Sequence, residues 1–242
     1  MSTDASATKP ETPPEMTRLI ARRLIQVLAG VLVQAVVLFA AAGRLDWAMG
    51  WAYVGVNLGI VAFNMVVLLP TSPELIAERG QVKENVAGWD RLLAPTVSLV
   101  GPLTTLVVSA LDGRFGWPVR MPLAVEMVGL VVAVAGYLMF TWSMASNKFF
   151  AGVVRIQAER GHTVETGGPY RYVRHPGYAG MIIFTLATPV LLGSVWGLIP
   201  AGLMVAVVVL RTTLEDRTLQ AELGGYEEYA GQVRYRLVPG VW

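Results

Sequence analysis

Residues 166–180 read Thr-Gly-Gly-Pro-Tyr-Arg-Tyr-Val-Arg-His-Pro-Gly-Tyr-Ala-Gly, a dense set of chemically capable groups. Gly167, Gly168 and Pro169 force a turn and let a ligand approach the backbone closely. The rings of Tyr170, His175 and Tyr178 can stack on a flat base or close over a sulfonium cation. Pro176 suits the first position of a helix, which leaves free backbone N–H groups beside the loop. Beyond an uncharged run comes a second set, Arg211 with Glu215 and Asp216 one turn on. Such an arginine can hold an anionic group through paired hydrogen bonds, while an acid at 215 or 216 holds a cationic or hydroxylated one. A plain reading competes with each set. The first would be an ordinary membrane-entry loop, and the second an i,i+4 ion pair worth a few tenths of a kcal/mol.

Composition says what surrounds these groups. The 242 residues are 54% hydrophobic and 15% charged, well under the charge of a soluble domain. The apolar residues come in blocks, the pattern of membrane spans. Cysteine is absent, which excludes disulfides, thiol catalysis and Cys-ligated metals. The two histidines, His162 and His175, sit on one loop in no metal-ligand pattern, so no metal is expected. The formal charge of +2 gives no reason to expect a nucleic-acid partner.

The expected fold is all-α: a polytopic integral membrane protein of about six transmembrane helices, with a C-terminal hairpin running on into a cytoplasmic helix. Residues 1–16 read as a disordered tail without the apolar core of a signal peptide. Residues 17–146 hold four spans, at 24–42, 47–70, 92–111 and 122–146, each near the roughly 20 apolar residues a span needs. A connector at 71–91 is either a surface helix or a solvated link. Residues 147–242 form the remaining unit. Within it, 176–210 is uncharged for 35 residues, about 52 Å as one helix against a hydrocarbon core of about 30 Å. A hairpin of 178–193 and 195–210, turning near Ser194, fits better. It returns the chain to its starting side, so the two polar sets become neighbours. Tyr226, Tyr229 and Trp242 suit a membrane interface.

With both termini cytoplasmic, one side carries 16 of the 19 Lys and Arg residues, and Arg44, Arg114 and Arg120 fall on the other. That is the positive-inside pattern.

His162-Thr163, the Gly-Pro-Tyr-Arg-Tyr-Val-Arg-His-Pro-Gly-Tyr string and the Arg211…Glu215-Asp216…Gly224…Tyr226…Tyr229 pattern together resemble the isoprenylcysteine carboxyl methyltransferase family, within a broader group that includes phospholipid methyltransferases. The resemblance covers about 147–242. It implies that S-adenosylmethionine binds in a cytoplasm-facing site made by the loop, the hairpin and the C-terminal helix. A lipophilic or lipidated substrate would enter from the bilayer, among membrane lipids. By position, the cofactor residues would be Gln157, His162, Thr163, Val164, Glu165, Tyr170, His175, Pro176, Gly177 and Tyr178, with Glu215 or Asp216. Arg211 would engage a substrate carboxylate, with Arg174 as helper and His175 as base if the acceptor were an amine. The family usually has Glu at the position of Asp216, so Glu215 and Asp216 compete. The extra N-terminal spans fit a bacterial-type member in an inner membrane.

The resulting expectation is carboxyl O-methylation of a lipophilic acceptor. Its rivals are ethanolamine-phospholipid N-methylation and a non-catalytic membrane scaffold or carrier.

Overall fold

A computed structural model describes residues 13–81, 86–117 and 121–242. Most of the expected tail, with Lys83, Glu84 and Arg120, lies outside the described residues. The elements are α1 (Pro13–Ala42), α2 (Ala48–Thr71), α3 (Pro73–Arg79), α4 (Asp90–Pro95), a π-turn (Thr96–Val100), α5 (Gly101–Phe115), α6 (Leu123–Ser146), α7 (Pro176–Leu191), α8 (Leu198–Glu222) and α9 (Tyr226–Gln232), with 3-10 turns at Ala158–Arg160 and Gly168–Arg171. The described residues contain no β-strand, as the apolar blocks require.

Among the described residues, five helices are long and apolar enough to cross a membrane, against the about six expected: Pro14–Ala42, Ala48–Thr71, Asp90–Phe115, Leu123–Ser146 and Leu198–Glu222. The first begins earlier than expected, so Pro13–Met16 of the assigned tail is its opening turn. The expected sixth span is α7, only 16 residues. At 1.5 Å per residue it reaches about 24 Å, short of the hydrocarbon core. The hairpin is present but unequal, because α8 absorbs both the apolar arm and the polar helix beyond it. Its turn is sealed from α5: Ser194 Oγ donates to Asp112 Oδ2 at 2.6 Å and accepts the Gly197 N–H at 2.9 Å.

The π-turn follows Pro95, which lacks the N–H that a continuous α-helix needs there. Over its described residues 73–80 the 71–91 connector packs against the bundle. Its helix α3 buries Leu75, Ile76 and Ala77, and a Cβ on the following Gly80 would lie 2.6 Å from Leu19 O of α1.

The most extensive helix pairing is α6 with α7. Lipid supplies little drive for helix association, so small residues that admit close backbones take that role. Gly136 and Gly180 face each other: a Cβ on Gly180 would lie 2.6 Å from Gly136 O and 2.7 Å from Phe140 N. Both obstacles are backbone, so neither can turn aside. Gly180→Ala is expected to cost about 1–3 kcal/mol by overpacking. Thermal unfolding in detergent should show a lower midpoint than Gly55→Ala, whose Cβ meets open space.

Candidate active site

Two carboxylates organise the polar end of the helices. Asp216, in the last third of α8, has none of its surface exposed. Its Oδ1 accepts from Arg174 Nε at 2.7 Å, Tyr226 Oη at 3.0 Å and His175 Nε2 at 3.2 Å. Its Oδ2 accepts from Gln220 Nε2 at 2.8 Å, Arg236 Nε at 2.8 Å and Arg174 Nη2 at 3.0 Å. A carboxylate offers about four lone-pair directions, so six donors leave it no spare capacity. Arg174 is equally committed, its Nη1 donating to Val233 O at 2.7 Å and Arg234 O at 2.9 Å. Main-chain bonds run alongside, from Arg174 N to Tyr235 O and from His175 N to Arg236 O, each 2.9 Å. Burial lowers the Arg174 pKa, but the hydrogen bond and charge of Asp216 outweigh it and the net shift is upward. Burial, then the Asp216 charge, pushes the Tyr226 phenol up, so Tyr226 stays a neutral donor.

The second carboxylate is Asp90, also fully buried. Arg211 grips it with Nε at 2.6 Å and Nη2 at 2.9 Å, and Nη2 also reaches Gly152 O at 2.9 Å. Asp90 Oδ2 accepts the Val154 N–H at 2.7 Å. Arg211 therefore forms its ion pair with Asp90, 121 positions away, and not with Glu215. Its Nη1 makes no hydrogen bond among the described residues, and its Cζ lies 5.4 Å from the Tyr178 ring centroid.

A cavity of about 500 Å³ opens between these anchors. One end is polar, formed by the 147–165 loop, the start of α7, α8 and α9. The rest of the lining is mainly apolar, with Leu24, Val27, Ile60, Leu68, Phe140 and Met144 from α1, α2 and α6, but it also includes Arg23, Gln34, Asn57, Asn64 and Arg79. The polar end is lined by His162, Thr163, Val164, Glu165, Tyr170, Arg174, His175, Gly177, Tyr178, Arg211 and Glu215. The structure thus brings together most residues singled out in sequence. Tyr178 donates to Glu215 Oε2 and stacks on His175 with ring centroids 5.9 Å apart. Gly177 has a reason to be glycine, since a Cβ would meet Phe150 Cε2 at 2.8 Å.

Gln157, Pro176 and Asp216 do not line the cavity. Gln157 is buried and shapes the loop: Nε2 donates to Phe149 O at 2.7 Å, and Oε1 accepts from Arg160 Nη1 at 2.5 Å. Pro176 opens α7. Of the two competing acids, Glu215 faces the cavity and Asp216 is the internal clamp.

Sequence reasoning missed Asp90, Arg236 and the burial of Tyr226 and Tyr229, each only 4% exposed. Those tyrosines sit in the site's wall instead of the expected interface, Tyr229 Oη donating to Tyr170 O at 2.7 Å. Asp90 did leave a signal: an acid at the mouth of an uncharged span calls for a cation on a neighbouring helix.

These assignments separate by experiment. Asp216→Asn leaves Arg174 and Arg236 without their anion and is expected to cost about 3–5 kcal/mol. The loss should appear as a lower unfolding midpoint and faster proteolysis near residues 233–237.

His162 supplies a pH test. Burial, then the charges of Arg155 and Arg160, lowers its pKa from 6.5. Neutral Nδ1 accepts the Gln157 N–H at 3.3 Å. The folded value lies below the unfolded one, so the unfolded chain takes the proton first. Stability is therefore full above about pH 6.5 and declines as pH falls through the window below it. Unfolding midpoints from pH 8 to 5 should drop more in the wild type than in His162→Asn.

Residues 127–221 match the model of the isoprenylcysteine carboxyl methyltransferase (ICMT) family. A probable protein-S-isoprenylcysteine O-methyltransferase of Oryza sativa subsp. indica is 33% identical over 117 residues, covering 45% of this chain and 59% of that protein. The protein-S-isoprenylcysteine O-methyltransferase of Schizosaccharomyces pombe is 31% identical over 99 residues, 40% of this chain and 42% of its own length. The A form from Arabidopsis thaliana is 28% identical over 100 residues, 41% of this chain and 48% of that protein. The chain spans about half the length of the curated relatives it matches. The resemblance drawn from the motifs is borne out across the matched segment, which contains every singled-out residue from Gln157 to Asp216. These relatives are plant and yeast proteins, so they lend nothing to a bacterial type.

Proposed function

We propose that this chain is an integral membrane S-adenosylmethionine-dependent methyltransferase that esterifies a carboxylate on a lipophilic acceptor. The observation that carries the reading is a cavity in which polar groups of the C-terminal elements meet the mainly apolar walls of α1, α2 and α6. Its volume suits a small-molecule site. The curated relatives are named as O-methyltransferases of protein-S-isoprenylcysteine, which supports a lipidated acceptor here. The distribution of Lys and Arg supports a cytoplasmic polar end with both termini on that side.

The polar residues fit the methyl donor by chemistry. Glu215 offers an anion, the stacked His175 and Tyr178 offer aromatic faces to a cation, and residues 162–165 offer backbone at the cavity wall. When bound, S-adenosylmethionine supplies a methyl group activated by a sulfonium cation. Arg211, fixed by Asp90 and lining the cavity, keeps its Nη1 donors available to hold an acceptor's carboxylate. Orientation alone can contribute several kcal/mol. The apolar end keeps water away from a step in which opposite charges cancel, which favours transfer.

A carboxylate is ionised at neutral pH and needs no general base. His175, the first candidate base for an amine, has Nε2 within 3.2 Å of Asp216 Oδ1 and 3.3 Å of Tyr226 Oη. That commitment favours O-methylation over N-methylation.

Two measurements test the reading. Purified protein, labelled S-adenosylmethionine and membrane lipids should give a lipophilic product whose label alkali releases as methanol. Label that resists alkali would instead mark an amine acceptor. Glu215→Gln is expected to weaken S-adenosylhomocysteine binding about tenfold, the worth of one charged hydrogen bond, with little change in unfolding midpoint. Calorimetry showing no binding by the wild-type protein would move the reading to a scaffold or carrier.

A further inference from the structure

Five arginines line the cavity: Arg23, Arg79, Arg155, Arg174 and Arg211. Three have carboxylate partners, namely Glu78 and Glu159 for Arg155, Asp216 for Arg174 and Asp90 for Arg211. Among the described residues, Arg23 and Arg79 have none within ion-pair distance. The remaining acids facing the cavity are occupied as well: Glu215 takes the Tyr178 hydroxyl, and Glu165 accepts the N–H groups of Thr166 and Gly167.

The backbones that carry these two arginines adjoin. A Cβ on Gly80, next to Arg79, would lie 3.4 Å from Arg23 Cβ. Arg79 Nη1 lies 3.5 Å from Phe150 O, and its Cζ stands 5.4 Å from the Phe150 ring centroid. That ring abuts Gly177 at the start of α7, so the pair is one aromatic residue away from the polar end. Around them are Leu24, Leu75, Ile76, Phe140 and Met144 of the cavity wall. Desolvation, then the like charge of Arg23, lowers the Arg79 pKa to about 10 against the weaker opposing pull of Glu78 and Tyr137, which leaves it charged at neutral pH. Two guanidinium groups beside an apolar wall repel each other, and an anion between them relieves the repulsion. The planar guanidinium fork matches carboxylate and phosphate oxygens.

Resting on the methyl-transfer reading, we propose that Arg23 and Arg79 anchor an oxyanion, carboxylate or phosphate, on the head group of the amphiphilic acceptor. Both residues lie outside the 127–221 segment shared with the family, so this recognition point belongs to the chain's own N-terminal helices. It divides the labour among the cavity arginines. Arg211 spends most of its charge on Asp90 and orients, while Arg23 and Arg79 select.

The test uses full-length protein in zwitterionic nanodiscs and three farnesyl probes: N-acetyl-S-farnesylcysteine, farnesyl monophosphate and uncharged farnesol. At least one acid should bind about tenfold tighter than farnesol. Stronger binding of the first acid points to a carboxylate head group, and of the second to a phosphate one. The Arg23→Gln/Arg79→Gln double variant should lose most of that preference, the remainder being what Arg211 contributes, while farnesol and S-adenosylhomocysteine affinities hold. An unchanged preference overturns the proposal, as does a wild type that binds all three probes equally. Should the double variant lose farnesol binding too, Arg23→Gln alone decides: about a threefold loss for the acids supports the anchor, and no loss overturns it. Intact acid preference without S-adenosylhomocysteine binding would sink the methyl-transfer reading and leave the anion site standing.

Discussion

The polar end of this molecule depends on one saturated carboxylate. Asp216 collects donors from the loop before α7, from α8 itself, from α9 and from the segment after it. A buried charge is tolerable only with such complete satisfaction. The requirement also fixes direction. His175 and Arg174 must face α8, which sets how Pro176 launches α7 and where the Tyr178 ring lies. Asp90 repeats the device on the other flank, locking α4, the 152–154 loop and α8 around Arg211. The cavity is the space these two clamps hold open.

Above the clamps the adhesive changes. The helices meet through glycine faces, aromatic edges and single hydrogen bonds such as Thr141 Oγ1 to Asn64 Oδ1 at 2.8 Å. This division follows from solvent. In lipid, apolar side chains gain little by meeting one another, so close packing and satisfied polar groups hold the helices. Near the aqueous edge, charged networks pin loops that have no hydrophobic face of their own.

Much of this was legible in the chain. Uncharged runs located the apolar middles of the spans, because hydrocarbon thickness sets their length, while α1 and α8 overrun them, starting at Pro13 and ending at Glu222. The 35-residue run had to fold back, and that placed Tyr178 beside Glu215. Its unequal split was hidden, since nothing in an apolar stretch says how far a following polar helix continues the same axis. The Asp90–Arg211 pair escaped because 121 positions separate its members, and sequence spacing ranks the nearer Glu215 as partner. The choice between Glu215 and Asp216 could not be read from adjacency. One step along a helix is about 100°, enough to send one acid to the cavity and its neighbour into the clamp. Tyr226 and Tyr229 misled because a ring with one polar atom suits a membrane interface and a buried network equally well.

The main-chain bonds from Arg174 and His175 to Tyr235 and Arg236 also carry a timetable. Residues 174 and 235 lie far apart in the chain, and closing that loop precedes any benefit from the contacts. When α6 and α7 leave the ribosome their glycine faces can already meet. Arg174 and Asp216, by contrast, wait for the 233–237 segment before their network is complete. The membrane half of the cavity is thus assembled first and the polar half last. A newly made molecule would present the mainly apolar walls of the cavity before its polar side is closed.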